Sequence, residues 1–105
     1  ANVLKGYSFI KHWEDLPGSD PYIIDVRDPA EFMRGHLKDA VNIPLNNIRF
    51  RLNEIPENRD IWLYCLVGKR SYFASRILRQ KGLNSWSVSG GYVMYKAVKK
   101  FMNLP

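Results

Sequence analysis

The chain has 105 residues, of which 46% are hydrophobic and 25% are charged, and its net charge is +6. This length and composition are typical of one globular domain and exclude a collagen-like chain, a disordered chain and a disulfide-stapled miniprotein. The basic residues are spread along the chain, which favours attraction for small anions or an acidic partner surface over nucleic-acid binding.

Strand and helix signals alternate from the start of the chain. A first strand is expected within residues 8–13, and the apolar, β-branched run at 22–26 predicts a second, buried strand. Asp28 and Glu31 have the spacing of a capping box, and Pro29 suits the first position of a helix. A short helix is therefore expected to begin at Pro29.

That helix is expected to end after residue 34, because Gly35 is a typical C-terminal residue. Residues 40–43 predict a third short strand. Asn46 or Asn47 is then expected to cap a helix that stops before Pro56. The apolar face of this helix would comprise Ile48, Leu52 and Ile55, which are spaced by four and three residues.

The second half of the chain continues the alternation. Residues 60–65 predict the strongest strand, residues 71–81 a helix, and residues 84–88 another strand, with a last helix after Gly90. The apolar stripes of the two helices are expected to be Phe73, Ala74, Ile77 and Leu78 in the first and Val93, Ala97 and Phe101 in the second, while Arg76, Arg79 and Gln80 face water.

This order of elements predicts the fold class. Alternating strands and helices are typical of an α/β domain with a mostly parallel sheet. About five strands are expected, with helices on both faces of the sheet. No repeat or low-complexity linker divides the chain, so residues 1–105 are expected to form a single domain.

Cys65 is the only cysteine and the last residue of the strand at 60–65. Ligands of open parallel sheets bind beyond the carboxyl ends of the strands. The glycine-containing loop at 66–70 can direct N–H groups towards an anion, and Lys69, Arg70 and the following helix N-terminus add positive charge. Thiols in such surroundings have a lowered pKa and are reactive. A buried structural cysteine is the alternative, since cysteine is among the most buried residue types.

Three motifs stand in a fixed order along the chain. Residues 65–71 read Cys-Leu-Val-Gly-Lys-Arg-Ser, which resembles the active-site loop of the rhodanese sulfurtransferase family: cysteine, two variable residues, glycine, one variable residue, arginine, serine. The other two motifs also resemble that family. They are Ile24-Asp25-Val26-Arg27 with Glu31-Phe32, Gly35-His36-Leu37, Ala40 and Asn42-Ile43-Pro44, and then Ser89-Gly90-Gly91-Tyr92.

The resemblance implies a rhodanese-like three-layer domain that transfers sulfur. Cys65 would be the catalytic nucleophile and would carry the sulfur as a persulfide. The donor would be a persulfide or a thiosulfate-type compound, and the acceptor a thiol. The substrate-binding loop would comprise Leu66, Val67, Gly68, Lys69, Arg70 and Ser71, with Gly68 allowing close approach, Arg70 supporting the loop or facing the anion, and Asp25, Arg27 and His36 giving structural support.

The chain is similar in more detail to rhodanese domains fused to CoA-disulfide reductase-type pyridine nucleotide-disulfide oxidoreductases. Ala1-Asn2-Val3-Leu4, His12-Trp13 and Val67 before Gly68 carry this similarity. Residues 1–7 would then be the linker from a preceding oxidoreductase domain, which would be a partner of this one. FAD, NAD(P)H and coenzyme A are implied for the parent protein. This domain is expected to bind none of them, because it lacks a Gly-x-Gly-x-x-Gly fingerprint.

A docking module and a cysteine phosphatase are the alternatives to a sulfurtransferase. Some rhodanese-like domains lack the cysteine and serve as docking or regulatory modules. Cysteine phosphatases place five residues between cysteine and arginine, whereas four lie between Cys65 and Arg70. Because Leu66 and Val67 are apolar, thiosulfate is expected to be a poor donor.

The expected environment of the chain is the cytoplasm. It has no signal-peptide pattern and no apolar run near the ~20 residues of a membrane span. One cysteine and two histidines cannot form a four-ligand structural zinc site, and no metal is expected.

Overall fold

The computed structural model describes residues 8–104, which are built around a parallel sheet. Its five strands are β1 (Ile10–Lys11), β2 (Tyr22–Asp25), β3 (Val41–Asn42), β4 (Ile61–Tyr64) and β5 (Ser85–Val88). Their order across the sheet is β1-β5-β4-β2-β3, and each neighbouring pair is parallel. The expected α/β class with about five parallel strands is confirmed. The linker expected at residues 1–7 lies outside the described residues.

Within residues 8–104, three α-helices and three 3-10 helices accompany the strands, and the last α-helix follows β5. The α-helices are α1 (Pro29–Met33), α2 (Lys69–Gln80) and α3 (Gly91–Met102). The 3-10 helices are Trp13–Asp15, Leu45–Phe50 and Leu52–Glu54. Helix α1 begins as its sequence predicts, since the Asp28 N–H donates to the Glu31 carboxylate at 3.0 Å and Pro29 takes the first position.

Strand β4 is buried along its whole length, and its side chains alternate between two hydrophobic clusters. Ile61 and Leu63 belong to the cluster that contains Leu78 of α2. Trp62 and Tyr64 belong to the cluster that contains Tyr95 of α3. Because successive side chains of a strand point to opposite faces, α2 and α3 cover opposite faces of the sheet, as a three-layer fold requires.

The segment between Pro44 and Pro56 differs from the single capped α-helix that its spacing predicts. Two 3-10 helices occupy it, separated at Arg51, and Pro44 rather than an asparagine precedes the first. The two prolines confine the segment to eleven intervening residues, and i to i+3 bonds give it a tighter turn. Of the predicted apolar face, Ile48 and Ile55 are nevertheless buried, and Leu52 is half-buried against the same cluster.

The predicted apolar face of α3 is wrong, whereas that of α2 is confirmed at Ala74, Ile77 and Leu78, which are buried. In α3, Val93 and Phe101 lie in solvent, with Phe101 89% exposed, and Tyr95 is the buried residue. Trp13 decides this orientation, because its ring lies 5.2 Å from that of Tyr95 and its Nε1–H donates to Gly91 O at 2.8 Å. In α2, Phe73 is also exposed.

Arg79 does not face water as expected. Its guanidinium lies 3.6 Å from the ring centroid of Phe9 and 4.6 Å from that of Trp86, and its Nε–H donates to Ser85 O at 2.8 Å. Guanidinium groups stack favourably on aromatic faces, which explains why a basic residue at the end of α2 covers the edge of the sheet.

Candidate functional site

Cys65 follows the last residue of β4, the middle strand of the sheet, and is 1% exposed. The chain then turns through Leu66 and Val67 into α2. The fold therefore places the thiol at the carboxyl edge of the parallel sheet, which is the edge where ligands of α/β folds bind.

Main-chain donors converge on the sulfur. The Gly68 N–H donates to Cys65 Sγ at 3.0 Å, and the Ser71 N–H lies at 3.4 Å. The Ser71 hydroxyl lies 3.6 Å from the same sulfur. Gly68 has φ +129, a backbone conformation that favours glycine. The loop and the first turn of α2 thus form an anion nest around the sulfur.

Arg70 supports the loop rather than facing the sulfur. Its guanidinium donates two hydrogen bonds to the Glu31 carboxylate, at 2.8 and 3.1 Å. The hydrogen bond from Arg70 lowers the pKa of Glu31 from 4.5 to about 2, against the opposing effect of burial. This bidentate pair connects α1 with the first turn of α2.

The outer side of the loop is apolar. Leu66 is exposed and Val67 is 62% exposed, whereas Lys69 points into solvent at the start of α2. The loop around Cys65 therefore presents two apolar side chains to solvent, with one exposed cation, Lys69, beside them.

The N-terminus of α3 is hydrogen-bonded to the backbone of the loop. The Tyr92 N–H donates to Cys65 O at 2.8 Å, and the Val93 N–H donates to Leu66 O at 3.1 Å. A Cβ at Gly91 would lie 2.6 Å from Leu66 O and closer still to Cys65 O, so position 91 has no room for a side chain. The glycine pair is visible in the sequence, but the close approach of Gly91 to the Cys65 and Leu66 carbonyls is seen only in the structure.

Asp25 and Arg27 form a buried ion pair at the same edge of the sheet. Arg27 Nη2 donates to Asp25 Oδ2 at 2.7 Å and to Gly35 O at 2.7 Å, and the guanidinium lies 4.3 Å from the Tyr92 ring centroid. Burial alone would lower the pKa of Arg27, but its hydrogen bond and charge interaction with Asp25 outweigh burial and raise it. The pair links β2 to the start of α3 through Tyr92.

His36 lies apart from this cluster, on the surface beside α1. Its ring stacks on Phe32 at 3.7 Å between centroids, and its Nδ1 lies 2.9 Å from Phe32 O. These contacts are local to the end of α1.

The sequence does not predict two residues near the loop as site candidates. The spacing of Glu31 predicts a helix-capping residue and gives no sign of the pair with Arg70. Ser87 is predicted as part of a strand, yet its Oγ lies 2.8 Å from Ser71 Oγ. Both contacts join distant parts of the chain, which local patterns do not reveal.

Residues 10–98 match the Rhodanese-like domain family, and the chain belongs to that family. It is 43% identical over 63 residues to a sulfurtransferase of Allochromatium vinosum, covering 60% of this chain and 59% of that protein. The reduced CoADR-RHD of Bacillus anthracis superposes with a TM-score of 0.82 and 36% identity, covering 96% of this chain and 19% of that one. A NAD-dependent persulfide reductase from A. fulgidus gives a TM-score of 0.72 and 33% identity, covering 90% and 17%.

The chain thus spans somewhat over half of the curated sulfurtransferase and less than a fifth of each of the two larger solved chains. Within residues 8–104, no helix has the length and apolar character to cross a membrane. The same described part of the chain contains no group of three or more His, Cys, Asp or Glu side chains that could hold a metal ion.

Proposed function

We propose that this chain is a rhodanese-type sulfurtransferase module in which Cys65 forms a persulfide and passes the sulfane sulfur to a thiol acceptor. The observation that carries the proposal is the convergence of the Gly68 and Ser71 N–H groups on Cys65 Sγ, at 3.0 and 3.4 Å. Fixed dipoles of this kind stabilise a negative sulfur without reorganising during the reaction. Membership of the family and the sulfurtransferase relative support the same chemistry.

The proposed reaction consists of two balanced displacements. The Cys65 thiolate attacks the outer sulfur of a donor R–S–S⁻, the donor S–S bond breaks, and R–S⁻ leaves with the electron pair. An acceptor thiolate then attacks the outer sulfur of the Cys65 persulfide, forms R′–S–S⁻ and releases the Cys65 thiolate. Neither displacement consumes an oxidant or a reductant, and a preformed thiolate needs no strong general base.

The donor that fits this loop best is a persulfide carried on a thiol. The exposed Leu66 and Val67 side chains offer contact to carbon atoms but no charge for the doubly negative thiosulfate. The ratio of kcat/KM for a low-molecular-weight persulfide to that for thiosulfate measures this preference. A higher kcat/KM for thiosulfate would contradict it.

We assign the oxidoreductase chemistry of the parent protein to a region outside this chain. The residues present do not fit FAD or NAD(P)H, since the sequence has no Gly-x-Gly-x-x-Gly fingerprint and the first turn of α2 is directed at the Cys65 sulfur. FAD, NAD(P)H and coenzyme A would belong to that region, with residues 1–7 as the linker and the cytoplasm as the location. The similarity to part of CoADR-RHD and of the persulfide reductase supports this assignment.

Intact-mass spectrometry of the purified chain tests the sulfurtransferase proposal. After mixing with a low-molecular-weight persulfide, we expect the wild-type chain to gain one sulfur atom and to lose it again to a thiol acceptor. The Cys65→Ala variant should gain none. A wild-type chain whose Cys65 is alkylated normally but never gains sulfur would contradict the proposal and favour the docking-module alternative.

A further inference from the structure

Ser87 is a buried hydroxyl that joins the site from the neighbouring strand. It lies on β5, is 1% exposed, and pairs in register with Leu63 of β4, two residues before Cys65. Its Oγ lies 2.8 Å from Ser71 Oγ, and Ser71 Oγ lies 3.6 Å from Cys65 Sγ. The three groups therefore form a chain from strand to helix to sulfur.

The direction of the Ser87–Ser71 hydrogen bond follows from the need to satisfy buried donors. Among the described residues, the Ser87 hydroxyl has a single hydrogen-bond partner, which is Ser71 Oγ. If Ser87 accepted this bond, its own proton would be buried without an acceptor. Ser87 is consequently the donor, and Ser71 Oγ accepts.

The Ser71 proton then has two destinations on the other side of the oxygen. One is Gly68 O at 3.1 Å, and the other is the Cys65 sulfur whenever the sulfur carries negative charge. Gly68 O also accepts the Tyr72 N–H at 3.2 Å, so it remains hydrogen-bonded when the Ser71 hydroxyl turns away. The Ser71 hydroxyl can therefore move between the two acceptors and leave no group unsatisfied.

We infer that Ser87 is a positioning residue: by donating to Ser71 Oγ, it directs the Ser71 hydroxyl proton to the negatively charged Cys65 sulfur. The sulfur then has three donors, which are the Gly68 N–H, the Ser71 N–H and the Ser71 O–H. The inference extends the proposed function, because a sulfurtransferase must hold a negative sulfur both before and after loading.

The same strand contains a matched control. Ser85, two residues before Ser87 on β5, is also buried, and its hydroxyl pairs with Ser75 of α2 at 3.2 Å and donates to Ser75 O at 2.8 Å. Both pairs connect β5 to α2 through two serines. The Ser75–Ser85 pair has no contact with the Cys65 sulfur in the described hydrogen bonds, so it reports the structural cost alone.

The test is the pH dependence of Cys65 alkylation by iodoacetamide in the intact chain. Ser87→Ala should move the midpoint of this profile upward by about half a pH unit, and lower the rate about threefold below the midpoint. Ser85→Ala should leave the midpoint at the wild-type value. Ser87→Thr keeps the hydroxyl, so its midpoint should also equal that of the wild type. In a Ser71→Ala background, Ser87→Ala should add nothing further, because Ser87 acts through Ser71.

Equal midpoints for the wild type, Ser87→Ala and Ser85→Ala would overturn the inference, as would an undiminished effect of Ser87→Ala in the Ser71→Ala background. Should Ser87→Ala fail to fold, Ser87→Thr and Ser71→Ala still decide the question: a wild-type midpoint in Ser71→Ala would overturn it. Alkylation needs no sulfur donor, so its outcome is independent of whether the mass experiment detects a persulfide.

Discussion

At the scale of single residues, Gly91 shows how closely α3 approaches the loop around Cys65. It has φ +55, and a side chain there would collide with the Cys65 and Leu66 carbonyls. Those carbonyls accept the Tyr92 and Val93 N–H groups. The hydrogen bonds can form at these distances because residue 91 has no Cβ.

We expect Gly91→Ala to destabilise the chain by about 1–3 kcal/mol from backbone strain, with a further loss from the displaced loop. Gly82→Ala is the control, because Gly82 also has a positive φ, +83, but faces open space. Chemical denaturation measures both variants, and persulfide loading by mass reports the loop. Equal losses of stability and normal loading in both variants would show that the contact with the carbonyls is unimportant.

At the scale of elements, α1 and α2 are joined by the Glu31–Arg70 pair, and the pH dependence of stability should report that pair. The Arg70 hydrogen bond holds the pKa of Glu31 at about 2, below its ordinary 4.5. A carboxyl whose pKa is lowered by folding contributes stability above its unfolded pKa and loses that contribution as the pH falls through the folded value. The stability from Glu31 should therefore be complete above pH 4.5 and disappear towards pH 2.

Glu31→Gln should cost about 0.5–1 kcal/mol at pH 7, the range of partly exposed ion pairs. The difference from the wild type should shrink between pH 4.5 and 2. Denaturation at pH 7, 4 and 3 measures it. Glu54→Gln removes the partner of Arg51 in a more exposed pair and should have the smaller effect. A Glu31→Gln difference that does not change with pH would argue against the charged pair as its source.

Some of the elements can be predicted from the sequence and others cannot. The strands and α1 follow from local signals, such as β-branched runs and the Asp28–Glu31 box, so they could be predicted. The motif predicts the loop at 65–71. The sequence does not predict which face of α3 is exposed, because its spacing allows two apolar stripes. Trp13, from another part of the chain, packs against Tyr95 and so determines which stripe is buried. The contacts of Ser87 with Ser71 and of Glu31 with Arg70 also join distant parts of the chain, so local patterns do not predict them.

At the scale of the whole molecule, β4 belongs to both hydrophobic clusters, so the two faces of the sheet should unfold together. Leu78 of α2 is fully buried on one face, whereas Trp13 and Trp62 are buried on the other. Leu78→Ala should cost about 2–5 kcal/mol. We expect tryptophan fluorescence and far-UV circular dichroism to give coincident transitions that shift equally.

Phe50→Ala, which truncates an exposed side chain, is the control and should shift neither transition appreciably. If Leu78→Ala moved the circular dichroism transition and left tryptophan fluorescence behind, residues 8–104 would not be one cooperative unit.

The strand order has a consequence for the time course of synthesis on the ribosome. Strand β1 is translated first, but its neighbour in the sheet is β5, the last strand to be made. The amides that bind the Cys65 and Leu66 carbonyls belong to α3, which is translated later still. A nascent chain that has just exposed Cys65 has neither Ser87 nor the first turn of α3. The thiol therefore acquires these surroundings only after residues 85–93 have followed it along the chain.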